Sequence, residues 1–335
     1  MNARACRHAI ALLLVTSAPP ALAHHGTAAV GGLGTLGPGS AMDTTSPMPM
    51  GQGTILGLLK TEYVPFQQRA GFTEQKRYAS FNTAMVGYGL TPWLSIFVMQ
   101  PYNVKSQEVL GTNSGPGDTS VTLSASFKWD EGPQRVPEKE SLDDLFDWHF
   151  GLWASCTIPV GPTAHRDALG DYWAPDMQTG FNGPSPGIGV SFLKQLSTDW
   201  TVLGEVNYQH FFEQAYPGPG LRYQFGAETR LNGALVYRVW ASGARRVDVG
   251  GELSLLNLQR DRSDEGTGSV APMQASGGTI LYGQLGARVT LGSFVIGAGL
   301  KRAVASTLNE GAEQQGSEGL EDFRASLVIA YVPRF

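Results

Sequence analysis

The sequence predicts an all-β protein, an up-and-down antiparallel transmembrane β-barrel of about twelve strands. Three observations predict it. Polar and apolar residues alternate along many segments, long and short connections between those segments segregate by parity, and five of the seven tryptophans flank the short connections. The composition agrees, because 43 of 335 residues are Gly and only 16% are charged, against about 25% in typical soluble domains. No stretch after residue 23 reaches the ~18 consecutive apolar residues of a transmembrane helix, which excludes a helical membrane protein.

The first 23 residues have the pattern of a secretory signal peptide. Arg4 and Arg7 give a positive start, an apolar stretch follows, and Ala21-Leu22-Ala23 matches a small-residue cleavage site. The mature chain would begin at His24 and keep one cysteine, Cys156, so no intramolecular disulfide is expected. Without Arg4 and Arg7, 22 of the 24 basic residues remain against 29 acidic ones, a net charge of −7. This balance disfavours a nucleic-acid partner.

Residues 24–53 lack periodicity and predict a flexible N-terminal tail ahead of a barrel over residues 54–335. Alternation then begins. In residues 120–130, for example, Val121, Leu123 and Ala125 occupy odd positions and polar side chains occupy even ones, which is typical of a strand with one apolar and one polar face. We predict twelve strands near residues 54–66, 76–89, 93–106, 118–129, 147–160, 185–196, 199–212, 222–240, 246–260, 278–291, 293–304 and 321–335.

Connection lengths separate a membrane barrel from a soluble β-sandwich, which also alternates with period two. Alternate connections have 9 to 24 residues, and those between them have five or fewer, apart from residues 130–146. An up-and-down transmembrane barrel has this pattern because its periplasmic turns are short and its external loops are long. The predicted strands are also long enough, since a tilted strand crosses a bilayer in ~9–11 residues.

Aromatic residues mark both predicted ends of the barrel, as expected where side chains meet the membrane interface. The chain also ends in Phe335 after an alternating strand, so we expect that strand to engage the barrel-assembly machinery. The tryptophans on the short-turn side are Trp93, Trp129, Trp148, Trp200 and Trp240, and the aromatic residues on the opposite rim are Tyr63, Phe66, Tyr78, Tyr102, Phe211 and Tyr223.

Residues 130–146 form the one long connection on the short-turn side. Ser141 is placed to cap a short helix, and carboxylates follow in its first turn. Two alternatives stay open for this acidic segment. One is a periplasmic helix or plug element, and the other is a solvated acidic loop.

Several segments resemble a known family. They are Gly117-Asp118-Thr119 at the start of a strand, Gly89 to Trp93 before another strand, residues 152–161 ending in Pro159-Val160-Gly161, and a tight hairpin in residues 187–200. They are similar to the outer-membrane channels and transporters named for the MetA-pathway of phenol degradation, over roughly residues 54–335. The resemblance implies a channel or transporter linked to hydrophobic or aromatic compounds, and it supplies no catalytic residues.

Polar strand residues would line the interior of such a barrel, with membrane lipid against the opposite face. They carry both signs, whereas an ion-selective pore has an excess of one sign at its constriction, and pairing among them would make the wall rigid. As a set they predict a hydrophilic path for a small-molecule solute. The candidate lumen-lining residues are Lys60, Glu62, Lys128, Glu205, Glu228, Arg230, Arg238, Asp248, Glu252, Arg288, Lys301, Asp322 and Arg324.

The sequence therefore predicts a channel or transporter for small molecules in the cell outer membrane, reached after export. It contains no phosphate-binding Gly-rich loop and no nucleophile elbow. His149 and Ser155 lie six residues apart on one predicted strand, ~20 Å at strand rise. We predict no enzymatic activity and no bound cofactor. A purely structural or adhesive barrel is an alternative.

A second alternative is a copper-associated envelope protein. After cleavage, the α-amino group and imidazole of His24, with His25 beside them, suit Cu(II), and the thioethers of Met42, Met48 and Met50 suit Cu(I). The competing interpretation is a disordered tail in which these residues are incidental, because short motifs of this kind often arise by chance.

Overall fold

The computed structural model describes residues 22–23, 41–68, 75–137, 141, 144–217, 221–265, 268–273, 276–309 and 319–333. Twelve long strands dominate it. They are β1 (Ile55–Pro65), β2 (Lys76–Thr91), β3 (Leu94–Gln107), β4 (Thr119–Trp129), β5 (Trp148–Ile158), β6 (Pro186–Gln195), β7 (Trp200–Gln209), β8 (Glu228–Ser242), β9 (Arg245–Leu258), β10 (Gly278–Leu291), β11 (Phe294–Leu308) and β12 (Arg324–Tyr331).

The twelve strands close into one antiparallel barrel. Each pairs with the next along the chain, the β3–β4 pairing runs from Leu94↔Ala125 to Met99↔Ser120, and β12 returns to β1. Closure leaves no open sheet edge, which is the condition for placing strands in lipid. The predicted fold class and strand count are confirmed.

Side chains alternate between the two faces of the wall as predicted. In β4, Leu123 is 47% exposed on the outer face, while Thr122 and Ser124 are buried on the inner one. The same pattern gives exposed leucines on β8, β9, β10 and β11. An apolar outer face and a polar inner face are the reverse of a soluble barrel, whose core is apolar.

Two ends of the barrel differ in their connections. The end that carries the tight turns, such as 92–93 and 243–244, is called the short-turn end, and the other is called the long-loop end. Trp129, Trp148, Trp200 and Trp240 are exposed at the short-turn end. Among the described residues no helix is both long and apolar enough to cross a membrane.

Several short strands and two 3-10 helices lie outside the ring of twelve strands. A four-stranded sheet of Gln214–Ala215, Leu221–Gln224, Arg262–Glu265 and Ala271–Pro272 caps the long-loop end. Gly111–Pro116 pairs with the long-loop half of β3, Pro133–Arg135 pairs with the short-turn end of β4, and Leu22–Ala23 pairs with Gly319–Leu320. Three-residue 3-10 helices occupy Asp144–Phe146 and Pro175–Met177.

The predicted strand 222–240 is two elements, which corrects the sequence interpretation. Leu221–Gln224 belongs to the small sheet, and β8 begins only at Glu228. Between them the Gly226 N–H donates to the buried carboxylate of Asp261 at 2.7 Å. Tyr223 and Phe225 therefore do not face lipid, and Phe211 and Tyr223 are not rim residues. They pack in a buried aromatic cluster with Tyr216.

The acidic segment 130–146 folds onto the short-turn end. Ser141 Oγ accepts the N–H of Asp144, whose carboxylate accepts the N–H of Ser141 in return. Lys128 holds Asp130, Asp144 and Asp147 together. The hydrogen bond from Lys128 lowers the pKa of Asp144 to about 2. Within the described part, the segment forms a short 3-10 helix over Asp144–Phe146, and Ser141 caps its start as predicted.

Candidate functional site

The interior of the barrel is filled by the chain's own N-terminal segment. Residues 41–50, here called the plug, are almost entirely buried and lie inside the ring of strands. For residues 41–50, this corrects the prediction that residues 24–53 form a flexible tail. The plug belongs to no strand, so side chains of the wall must satisfy its backbone groups.

Glu252 on β9 accepts most of the hydrogen bonds at the start of the plug. Its carboxylate takes the N–H groups of Met42, Asp43 and Thr44, and also the hydroxyl of Thr44 at 2.9 Å. Three successive N–H groups pointing at one carboxylate form an anion-binding concavity. The plug backbone is therefore shaped around this wall residue.

Asp43 forms the central ion pair of the site. Its two oxygens lie 2.9 Å from Lys60 Nζ and 3.1 Å from Lys301 Nζ, and all three side chains are nearly excluded from solvent. Lys60 also lies 3.3 Å from Glu62. The plug thus supplies the carboxylate that pairs two cations on β1 and β11.

Glu205 on β7 secures the middle of the plug. It accepts the N–H of Thr45 at 3.1 Å and the Thr45 hydroxyl at 2.8 Å. Trp153 Nε1 and Asn232 Nδ2 donate to the same carboxylate at 3.2 and 3.1 Å. Trp153 is thus a buried interior residue, which explains why it falls outside the tryptophan girdle.

Both ends of the plug lie toward the short-turn end. The Ala41 carbonyl accepts a hydrogen bond from Arg288, and the Met50 N–H donates to Ser95 Oγ at 3.2 Å. Arg288 and Ser95 are close to the short-turn ends of β10 and β3. The plug therefore enters the lumen, turns at the level of Asp43, and returns to begin β1.

The candidate lumen-lining residues fall into three groups. Lys60, Glu205, Glu252, Lys301 and Arg288 contact the plug directly, as described above. A second group pairs within the wall, and a third lies near the short-turn end. The wall pairs are Arg324 with Glu62 and Glu321 and Arg230 with Glu228; the short-turn group is Lys128 with Asp144, and Arg238 and Arg246 with Asp248.

Asp322 is the exception among the candidates. It precedes β12, which begins at Arg324 and not at residue 321 as predicted, and its side chain is half exposed beside the outward-facing Arg302 at 3.8 Å. Its N–H donates to the Pro65 carbonyl. Asp322 therefore does not line the lumen.

A cavity of about 50 Å³, open to solvent, lies at the long-loop end above the plug. Aromatic side chains, together with Ala79 and Met177, supply its apolar surface, and its polar groups already have partners. Lys76 pairs with Asp176 at 2.8 Å, and Lys105 Nζ donates to the Asp176 and Gln178 carbonyls. The aromatic lining residues are Phe66, Tyr78, Phe81 and Phe181.

The loop that walls this cavity is clamped by Asp118, in the Gly-Asp-Thr run. Its carboxylate accepts the N–H of Gly161 at 2.8 Å and of Phe181 at 2.7 Å. A Cβ on Gly161 would lie 2.8 Å from the Gly180 Cα, so this approach requires Gly. Burial raises the pKa of Asp118 even though the N–H donors stabilise the carboxylate.

Replacing Asp118 by Ala should release the loop over residues 159–185. Two buried N–H groups lose a charged acceptor, and one hydrogen bond to a charged group contributes about 1.5–3 kcal/mol. We expect a lower free energy of unfolding in urea and faster protease cleavage within the loop. Asp118→Asn keeps one acceptor oxygen and should be intermediate. Unchanged cleavage in Asp118→Ala would contradict the clamp.

Sequence reasoning missed the plug residues Asp43, Thr44 and Thr45. The available signal was the run Asp43-Thr44-Thr45-Ser46, where polar residues replace the Gly-rich stretch before it.

The predicted metal ligands His24 and His25 lie outside the described residues. Among described residues, no cluster of three His, Cys, Asp or Glu side chains has the arrangement of a metal site.

The barrel is similar to solved outer-membrane proteins. An outer membrane channel from Pseudomonas putida F1 aligns with a TM-score of 0.61 at 15% identity, over 84% of this chain and 96% of that one. The NanC porin gives a TM-score of 0.43 at 9% identity, over 82% and 98% of the two chains. No protein-family model and no curated protein sequence matches the chain. At 15% identity, the likeness to the Pseudomonas channel establishes that the two share a β-barrel fold.

Proposed function

We propose that this protein is an outer-membrane channel for small molecules, closed by its N-terminal plug. The observation that carries the proposal is how the plug is held. Its polar contacts are hydrogen bonds and ion pairs to side chains of the wall, and it contributes no strand to the ring. The backbone hydrogen bonds between the twelve strands stay complete when the plug leaves, so the plug can move without unfolding the wall.

Location in a membrane is supported by the outer surface. Exposed apolar side chains form a band around the strands, for example Leu253 on β9 and Leu285 on β10. Exposed tryptophans border this band at the short-turn end, where an indole ring places its apolar body in lipid and its N–H in the headgroup region. We infer that the short-turn end is periplasmic and the long loops are external.

The solute class follows from the cavity and from the balance of charges along the lumen. The cavity offers aromatic rings for an apolar group, and paired polar groups at its edge. Below it, Lys60, Lys301, Glu205 and Glu252 carry both signs at the level of the plug. We propose a small solute with an apolar portion and few charges, taken up without strong ion selectivity.

Removing residues 24–50 from the mature chain tests the proposal. We expect the truncated barrel to fold and to admit small sugars into liposomes faster than the full-length protein, with a larger single-channel conductance. Full-length protein carrying the conservative Thr45→Ser change serves as the control and should resemble the wild type. Equal permeability of the truncated and full-length proteins would reject a plugged channel.

Cysteine labelling tests the orientation. With Cys156 changed to Ser, because that thiol is exposed, a cysteine at Leu169 should react with membrane-impermeant maleimide in intact cells. Leu169 is 68% exposed in the longest loop. A cysteine at Thr198, in a short turn, or at Ser242, the last residue of β8 before a short turn, should react only after the outer membrane is permeabilised. The opposite pattern would reverse the topology.

A further inference from the structure

Five methionines meet where the plug contacts the wall. Met42, Met48 and Met50 come from the plug, and Met85 and Met99 come from the inner faces of β2 and β3. Met42, Met50, Met85 and Met99 belong to one buried apolar cluster, and the partly buried Met48 packs against it. The other described methionines, Met177 and Met273, lie in the long loops. The thioethers are therefore concentrated at one level of the barrel.

Three of these side chains come from neighbouring positions on the inner face and the plug. Met85 and Met99 are direct cross-strand partners, so their Cβ atoms lie about 4.5–5.5 Å apart. Gly87 is two residues from Met85 on the same face, and a Cβ at Gly87 would lie 2.8 Å from Met50 Sδ. The sulfur of Met50 and the Phe97 ring thus fill the space beside Gly87, on the inner face that also carries Met85.

Thioether sulfur is a soft ligand that selects monovalent copper or silver over hard cations. The Met side chain has three rotatable bonds and adapts to irregular sites, so Met50, Met85 and Met99 have the freedom to turn their sulfurs toward one ion. The Phe97 ring lies beside Met50, and an aromatic face also attracts a cation.

Met42 is less suited to the same ion. Arg288 Nη2 lies 3.9 Å from its sulfur, and a permanently charged guanidinium at that distance repels a second cation. The cation Lys60 is two residues along β1 from Leu58, the partner of Met85, but it is already paired with Asp43 and Glu62. The space between Met50 and strands β2 and β3 is therefore a better position for a cation than the surroundings of Met42.

We propose that Met50, Met85 and Met99 bind one Cu(I) or Ag(I) ion between the plug and the wall. The ion would join a ligand of the plug to two ligands of the barrel and so hold the plug in place. Binding itself depends only on these three side chains. Its effect on permeability rests on the proposed function.

Silver nitrate in chloride-free buffer is the probe, with full-length protein in detergent and Cys156 changed to Ser to remove its thiol. Calorimetry should give about one Ag(I) per chain. The double variant Met85→Leu/Met99→Leu should bind at least tenfold more weakly, since Leu keeps the volume and removes both sulfurs. The matched control, Met177→Leu/Met273→Leu, should keep the wild-type affinity.

Two further measurements separate the outcomes. Equal affinity in the Met85→Leu/Met99→Leu protein, with a barrel shown to be folded by circular dichroism, would overturn the site. Loss of binding in His24→Ala/His25→Ala alone would assign the ion to the predicted amine and imidazole ligands and also overturn it. Ag(I) should lower the conductance of wild-type channels; binding at the methionines without that change would retain the site and count against the plugged channel.

Discussion

Replacing Asp43 by Ala should unseat the plug and raise the permeability of the channel strongly. The substitution removes the one carboxylate that lies between Lys60 and Lys301, at 2.9 and 3.1 Å. Breaking a buried ion pair by removing one partner costs about 3–5 kcal/mol, because the remaining charge stays buried without compensation. A loss of that size changes the ratio of seated to unseated plug by more than about a hundredfold.

Single-channel recording of the Asp43→Ala protein should therefore show long open periods that are rare in the wild type. Lys60 keeps Glu62 as a partner, so most of the loss arises at Lys301. The triple variant Asp43→Ala/Lys60→Met/Lys301→Met provides the matched control. It leaves no uncompensated lysine, and it should restore much of the closed state. Wild-type closure in Asp43→Ala alone would show that this ion pair does not hold the plug.

The barrel could be predicted from the sequence because its rules are local and repeated. Each strand must present lipid and lumen on alternate residues, so period two is imposed along the whole span. Short turns and long loops alternate because successive connections between antiparallel strands lie at opposite ends of the barrel. The predicted strands 76–89 and 278–291 accordingly agree closely with β2, Lys76–Thr91, and β10, Gly278–Leu291.

The plug could not be predicted because nothing local specifies it. Residues 41–50 have no periodicity, and their partners Glu205 and Glu252 lie 160 and 208 residues away from Thr45 and Thr44. The sequence does place carboxylates and lysines on the inner face. It does not indicate that one aspartate from outside the strands completes them.

The error in the predicted strand 222–240 has a different cause. Alternation continues through Tyr223, Phe225 and Ala227, so periodicity alone joins the small external sheet to β8. The break depends on Asp261, whose carboxylate accepts both the Gly226 N–H and the Tyr223 hydroxyl. That contact spans more than thirty residues and is invisible to any local pattern.

An arginine on the outer face should destabilise the barrel according to its depth in the membrane. Leu285 lies at the middle of β10 and is 74% exposed, whereas Leu291 ends the same strand on the same face. Leu285→Arg should lower the free energy of unfolding by about 2–4 kcal/mol, and Leu291→Arg by about 0–1 kcal/mol, because the cost of a charge falls from the bilayer midplane to the interface.

Reversible urea unfolding in lipid vesicles measures both values, and β10 provides an internal comparison because the two substitutions share chemistry, strand and face. In detergent micelles of small size the difference should shrink, since headgroups and water reach Leu285 more easily. A small and equal loss at both positions in vesicles would mean that water surrounds the outer face. The outer face would then not lie in lipid, and the proposal of a membrane channel would be rejected.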